Sequence, residues 1–442
     1  MATSNVIKID SDYFICSCKS VDELAALKET EGIKSILYLT LDTEQDMGCT
    51  PNGFEGVKSV FTDCNSHVAL APSDFAFSLP KTIPDEEENN NRFLAAMRIY
   101  ADFSRALDNL PRPCLIMCKT NARAGLVHNV YAAVQSGTSF QQLMSSNIMS
   151  WHGVDGFVHW AKTVVDSFNA HADRKLIFHQ LFESESSTYT YLLADKKTRE
   201  AVLIDPVLET VDRDFKLVTD LNLKLKYVVN THVHADHITG SGLLKQKCEA
   251  FNEEHNTKRR AALSEGEITT EEEVRWKADK REPCQSAIAA VANAMSDVKL
   301  NMGSSVSFGE FRLIAMNTPG HTAGCMSYLL NDCSRVFTGD TLLIRGCGRT
   351  DFQEGSSNTL YDSVNSQLFT LPNSTVVWPA HNYAGLTAST IGDERSLNNR
   401  LAVEAPKGPI SKTEFYQIME DLKLPFPRKL DISLPANLNC GV

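Results

Sequence analysis

Asn230-Thr-His-Val-His-Ala-Asp-His237 follows directly on the mostly apolar run Leu225 to Val229, and these residues decide the fold. The run reads as a buried strand, so His232, His234, Asp236 and His237 fall in the loop after it, where a rigid scaffold can aim side chains into a cleft. Working outward, the same layout recurs downstream. Thr318-Pro-Gly-His321-Thr comes 89 positions after His232, then Phe337-Thr-Gly-Asp340, then Pro379-Ala-His381. Five of the twelve histidines thus sit in short loops after apolar strands. A lone histidine at a strand end is usually structural, held by ordinary hydrogen bonds. Five of them with two aspartates, in this order, read as a metal site.

The chain around this signal has 442 residues, 43% of them hydrophobic and 22% charged, which fits a globular protein of two domains or three. No apolar run approaches the roughly 18 residues needed to span a bilayer. A net charge of −12 speaks against a nucleic-acid or anionic-membrane surface, because either partner needs a positive face. The opening residues, MATSNVIKIDSDYF, show neither a secretory apolar core nor an Arg-rich amphipathic stretch; a cytoplasmic protein is expected, with a mitochondrial location left open. Twelve scattered cysteines without C-x-x-C pairs read mostly as reduced thiols.

Periodicity divides the chain near residue 172. In the first part a helix is expected over Val21 to Leu27, strands over Ile33 to Leu41 and Val57 to Phe61, and helices over Phe93 to Leu107, Ala124 to Val134 and Phe157 to Phe168. Cys114-Leu-Ile-Met-Cys118 reads as a short buried strand before a turn and helix, a layout that presents backbone N–H groups to an anion. The second part, 173–442, opens with strands at Tyr189 to Leu193 and Ala201 to Asp205 and a helix from Thr210 to Leu221. Further strands are expected around Ser305 to Ala315, Cys325 to Leu330, Val336 to Phe337 and Thr375 to Trp378. A charged insertion spans about 248–285; Thr270-Thr-Glu-Glu-Glu-Val opens like a capped helix within it, and Ser411-Lys-Thr-Glu414 is a capping box.

The second part resembles the persulfide dioxygenases of the metallo-β-lactamase superfamily. The resemblance rests on Asn230 to Gly242, on Phe337-Thr-Gly-Asp-Thr-Leu-Leu-Ile-Arg-Gly-Cys-Gly-Arg-Thr-Asp-Phe352 and on Leu434-Pro-Ala-Asn437. It covers nearly all of 176–442 outside the insertion. It implies an αββα sandwich with one Fe(II) per chain, held by His232, His321 and Asp340, and oxidation of a glutathione persulfide by O2. Two imidazoles and a carboxylate leave open positions for both reactants. His234, Asp236, His237 and His381 would then orient ligands and water, with Asp236 and His237 expected to take part in catalysis. Arg345, Arg349 and Tyr383 are the candidate glutathione contacts, since an arginine fork can bind both oxygens of a carboxylate. A surface salt bridge is the plainer alternative, reading equally well for Arg345 and less well for Arg349, which the family motif contains. Cys347 reads equally as an oxidisable thiol or as a small packing residue. Asn382 stands where the family usually has aspartate.

A second reading stays open at this point. Glyoxalase II, a hydrolase of the same superfamily, would use all of His232, His234, Asp236, His237, His321, Asp340 and His381 to hold two metals. The first part, 1–172, resembles the phosphatase-like α/β domain of β-lactamase hydrolase-like proteins, through Asp22-Glu-Leu-Ala-Ala-Leu-Lys28 and Gly32-Ile-Lys-Ser-Ile-Leu37. Cys118-Lys-Thr-Asn-Ala-Arg123 has the shorter C-x4-R spacing of rhodaneses, with Asn121 where glycine is usual. The resemblance implies a sulfur-carrying Cys118 acidified by Arg123 and the helix dipole, or an inactive binding module. A nonenzymatic metal or persulfide sensor is the remaining class, and a homodimer is compatible with each reading.

Overall fold

The computed structural model describes the chain apart from residues 1–5, 10, 18–20, 41–56, 58, 63, 71–85, 119–121, 146–154, 170–174 and 265–279. It divides into two compact units, Met1–Asp173 with Thr370–Asn373, and Arg174–Phe369 with Ser374–Val442. Among the described residues no helix is long and apolar enough to cross a membrane.

The first unit contains a five-stranded sheet of β1 (Val6–Lys8), β2 (Tyr13–Ser17), β3 (Ser35–Thr40), β4 (Asn65–Leu70) and β5 (Cys114–Cys118), in the order β1-β2-β5-β3-β4. All pairings are parallel except β1 with β2. The apolar run Cys114 to Cys118 is buried at every position because it forms the central strand, covered on both faces. The helix expected over Phe93 to Leu107 extends over Glu86–Asn109, and its acidic first turn of Glu86, Glu87 and Glu88 complements the helix dipole. One expectation is corrected. Val57 to Phe61 is not a strand: residues 57, 59 and 60 are helical, and Val57 and Phe61, the latter just past these helical residues, are both buried in the core of the first unit.

The second unit contains two six-stranded sheets. The first comprises β6 (Leu176–Glu183), β7 (Thr188–Asp195), β8 (Glu200–Ile204), β9 (Lys224–Val229), β10 (Gln285–Ala289) and β11 (Val298–Leu300), in the order β11-β10-β9-β8-β7-β6. The second comprises β12 (Ser305–Phe308), β13 (Phe311–Asn317), β14 (Met326–Leu330), β15 (Arg335–Gly339), β16 (Val376–Pro379) and β17 (Ser389–Thr390), ordered as in sequence. Alternation along the strands builds the layers. Tyr191, Leu193, Val202 and Ile204 face Phe308, Leu313, Tyr328 and Phe337 in one core between the sheets. Leu192, Ala194, Ala201 and Leu203 point the other way, onto Val211, Val218, Leu244 and Cys248 of the helices Val211–Asp220 and Ser241–Ser264. Strand β7 is therefore buried on both faces.

The helix Ser241–Ser264 carries the chain into the charged insertion, while the capped helix expected at Thr270 lies outside the described residues. The capping box is present, with Ser411 and Glu414 each bonding the other's backbone N–H.

Candidate metal centre

The donors converge because they follow different strands at one edge of the sandwich. His232, His234, Asp236 and His237 lie in the loop after β9; His321 lies between β13 and β14; Asp340 follows β15 and His381 follows β16. His232, His321 and Asp340 place one donor atom each within 4.8 Å of the others, and His234, Asp236 and His381 form a second such group. Ring centroids of His232 lie 4.1 Å from His234 and 4.9 Å from His321.

Hydrogen bonds fix the tautomers of two of these imidazoles. The single hydroxyl proton of Thr231 goes to Asp205 Oδ2 (2.8 Å), so Thr231 Oγ1 can only accept from His232 Nδ1 at 3.0 Å. The backbone carbonyl of Arg349 likewise accepts from His321 Nδ1 at 2.6 Å. Both rings thus turn Nε2, bearing its lone pair, away from these partners; His321 Nε2 lies 3.4 Å from Asp340 Oδ2. Burial holds His232 well below the usual histidine range, with His234 and His321 adding to the effect, which keeps it in the neutral form that ligates metal.

The second donor group is held by a carboxylate network. Burial disfavours the charged form of Asp236, but His237 and His381 outweigh it and hold the carboxyl well below its usual range. Asp236 Oδ2 lies 3.0 Å from His237 Nδ1 and 3.4 Å from His381 Nε2. His381 Nδ1 donates to the carbonyl of Ser187 at 3.2 Å. Burial also opposes charge on His234, yet Asp205, 3.0 Å from its Nε2, raises the ring's pKa.

Asp340 Oδ1, His234 Nδ1 and His237 Nε2 are buried with no hydrogen-bond partner among the described residues. A buried carboxylate oxygen without a donor is costly, and a cation held with neutral imidazoles removes that cost. The residues therefore fit a divalent metal.

Two glycines make this packing feasible. A Cβ on Gly348 would fall 2.5 Å from the Asp340 carbonyl oxygen and 2.9 Å from His321 Nδ1. Gly339, at φ +52°, would place a Cβ 2.7 Å from Thr231 Oγ1.

The candidate substrate residues are placed differently from one another. Arg349 uses all three guanidinium nitrogens, two on Asp351 at 2.7 Å and one on the carbonyl of Pro425, also at 2.7 Å. Arg345 pairs with the fully buried Glu394 and with Ser389. Both forks thus meet carboxylates of the chain itself, Glu394 and the exposed Asp351, and brace the loop after Asp340. Tyr383 is 76% exposed and stacks on His381, with centroids 5.9 Å apart and an interplanar angle of 9°. It borders a cavity of about 510 Å³ together with Gln180, Phe182, Tyr189 and Asn382. Asn382 Oδ1 accepts from Ala384 and Leu386 N–H at 2.8 and 2.9 Å. Only an oxygen is required there, which an aspartate would supply equally. Cys347 is buried beside Met419, and burial pushes its thiol up to about 11, the environment of a packing residue.

Cys118 ends β5 in the first unit, fully buried, with the Ala124 N–H 3.4 Å from its sulfur. Residues 119–121 and the side chain of Arg123 lie outside the described residues.

Sequence reasoning misses Asp205, Gln353, Asn437 and Glu394 as residues that build the site. Asp205, in the left-handed region at φ +49°, binds the Thr231 N–H (2.7 Å), the Thr231 hydroxyl and His234. The one available signal was a carboxylate ending an otherwise apolar strand.

A two-sheet sandwich with His-x-His-x-Asp-His at its edge defines the metallo-β-lactamase class, and residues 184–381 match the profile of the Metallo-beta-lactamase superfamily. The mitochondrial persulfide dioxygenase ETHE1 of Mus musculus is 47% identical over 267 residues, 60% of this chain and 89% of its own length. The crystal structure of ETHE1 from Myxococcus xanthus is 43% identical, with a TM-score of 0.50, over 60% of this chain and all of that one. A β-lactamase hydrolase-like protein of Xylella fastidiosa (strain 9a5c) is 25% identical over 359 residues, 77% of this chain and 76% of its own length. The chain belongs to the persulfide dioxygenase family.

Proposed function

We propose that the second unit oxidises glutathione persulfide with dioxygen and releases sulfite and glutathione. The reaction balances as one persulfide, one O2 and one water giving glutathione, sulfite and two protons. The observation that carries this reading is the His232, His321 and Asp340 triad, with two oriented Nε2 lone pairs and an unpartnered carboxylate oxygen, in a chain of this family. These three residues would hold one ferrous ion, which when bound offers adjacent open positions to the persulfide sulfur and to dioxygen.

The chain's other residues serve that centre through hydrogen bonds. Thr231 and the Arg349 carbonyl orient the two imidazoles. The buried His237 and His381, with the half-buried Asp236 between them, form a polar wall that orients reactant and water. Tyr383 and the cavity beside it take the glutathione moiety.

Metal analysis combined with dioxygen uptake tests the reading. One iron per chain is expected, with one O2 consumed per persulfide and sulfite formed. The second donor group favours the hydrolase reading, and two metals with cleavage of S-lactoylglutathione and no dioxygen uptake would establish that reading instead.

For 1–172 the reading is a phosphatase- or rhodanese-like α/β domain in which Cys118 carries sulfane sulfur to glutathione. Its support is the central parallel strand ending in a thiol before the helix Ala122–Ser136, and a relative that matches both parts of the chain. Cys118→Ser is expected to abolish thiosulfate-dependent sulfur transfer while dioxygen uptake on added glutathione persulfide continues. Transfer that persists in this variant would discard the idea. We place the protein in the cytoplasm, and fractionation of cells checks this.

A further inference from the structure

The ligand loop 230–237 has no regular secondary structure; the Thr231 carbonyl accepts from the Met326 N–H of β14 and the Asn230 carbonyl from the Tyr328 hydroxyl, both at 2.8 Å, but those further along the loop lie beyond the strands. Buried carbonyls need donors all the same. Three of them receive one from side-chain amides far away in sequence. Asn437 Nδ2 donates to the carbonyls of His234 and His237, each at 2.8 Å, while Asn437 Oδ1 accepts from the Thr239 N–H at 2.8 Å. Gln353 Nε2 donates to the carbonyl of Val233, again at 2.8 Å. The amide orientations follow from chemistry, since two carbonyls and an N–H can be satisfied by Asn437 in one sense only.

The fit around these amides is close. Asn437 is 4% exposed. A Cβ on Gly441 would lie 2.0 Å from the Thr239 carbonyl oxygen, and Gly242 N–H donates to Cys440 at 2.9 Å, so the last residues lie directly against the loop. Thr239 in turn bonds Asn230 and Ser241, both at 2.9 Å, which ties the start of the loop to its end.

We propose that Asn437 and Gln353 are positioning residues for the metal centre. They fix the peptide planes at 233, 234 and 237, and thereby set where the imidazoles of His232, His234 and His237 point. A rotated peptide plane at any of these positions swings the neighbouring rings out of the cleft. The inference rests on the metal reading above and adds to it two residues whose amides bond the loop's backbone and not its imidazoles.

The test uses the full chain loaded with Co(II), comparing wild type with Asn437→Asp and Gln353→Glu. Each substitution keeps the shape of the side chain and replaces the donating amide nitrogen with oxygen. Three quantities are read: the visible Co(II) bands, the rate of cobalt release to a chelator, and melting of the metal-free protein. Asn437→Asp is expected to melt cooperatively when metal-free, to release cobalt about tenfold faster or more, and to show shifted bands. Gln353→Glu should move the same way by less, having lost one donation rather than two. Folded variants with the wild-type release rate and bands would overturn the proposal. Gln353→Glu leaves the helix Leu430–Leu438 untouched and decides the matter should Asn437→Asp not fold. A wild-type chain that takes up no cobalt would overturn the metal reading, and this inference with it.

Discussion

Replacing Asp340 with alanine is expected to leave a folded chain that purifies without iron and whose dioxygen uptake on glutathione persulfide falls by more than about 100-fold. The size follows from comparison: losing a hydrogen-bond partner of a metal ligand typically costs about 10- to 100-fold in affinity or activity, and losing the only carboxylate of the triad must exceed that. The fold is expected to survive because Asp340 Oδ1 makes no hydrogen bond that would be lost. Alanine also removes a charge from a site where Asp236 approaches the same His381 Nε2 as Asp340 does, which relieves repulsion between the two carboxylates in the metal-free state. Metal analysis beside an oxygen electrode reads both quantities. A variant that keeps one iron and uptake within tenfold of wild type would remove Asp340 from the ligand set.

The largest loss of stability is expected from Glu394→Ala. Glu394 is fully buried and accepts from the Arg345 N–H (2.9 Å), the Ser389 hydroxyl (2.6 Å), Asn398 Nδ2 (2.7 Å) and the Arg345 guanidinium. Removing it leaves the Arg345 guanidinium with the Ser389 hydroxyl and Asn398 Nδ2 with the Gly346 carbonyl as their remaining partners among the described residues. Breaking a buried pair from one side costs about 3–5 kcal/mol; Arg345 is itself 30% exposed and can recover some hydration, which points to the lower end. At about 2–4 °C per kcal/mol for a domain of this size, the melting temperature should fall by roughly 10 °C. Glu394→Gln keeps one acceptor oxygen and should lose much less. Calorimetry separates the two, and equal melting temperatures for both variants would show that the carboxylate is not what holds this loop.

Several strands of the second unit are legible in the sequence because burial leaves apolar runs: Cys325 to Leu330 is expected and β14 is Met326–Leu330, buried at every position, whereas β6, β10, β11 and the two-residue β17 go unassigned. The donor residues are legible for a related reason. A strand end followed by histidine is a local pattern, and several such ends repeat along the chain. Asp205, Gln353 and Asn437 are not legible, because their roles depend on partners 26 to 203 residues away, and a single carboxylate or amide carries no spacing to recognise. Arg345 and Arg349 are legible in position but not in partner. The sequence places them close to Asp340 but not the internal carboxylates, Glu394 and Asp351, that they meet. Val57 to Phe61 is misassigned because five residues with apolar ends satisfy both a period of two and a spacing of four.

The triad draws on both sheets of the sandwich, with His232 beyond β9 on one and His321 and Asp340 beyond strands of the other. Ion loading is thus a gauge of assembly: neither layer alone owns a complete coordination set. Damage deep in the interlayer packing, far from any imidazole, should surface as partial occupancy before secondary structure is lost.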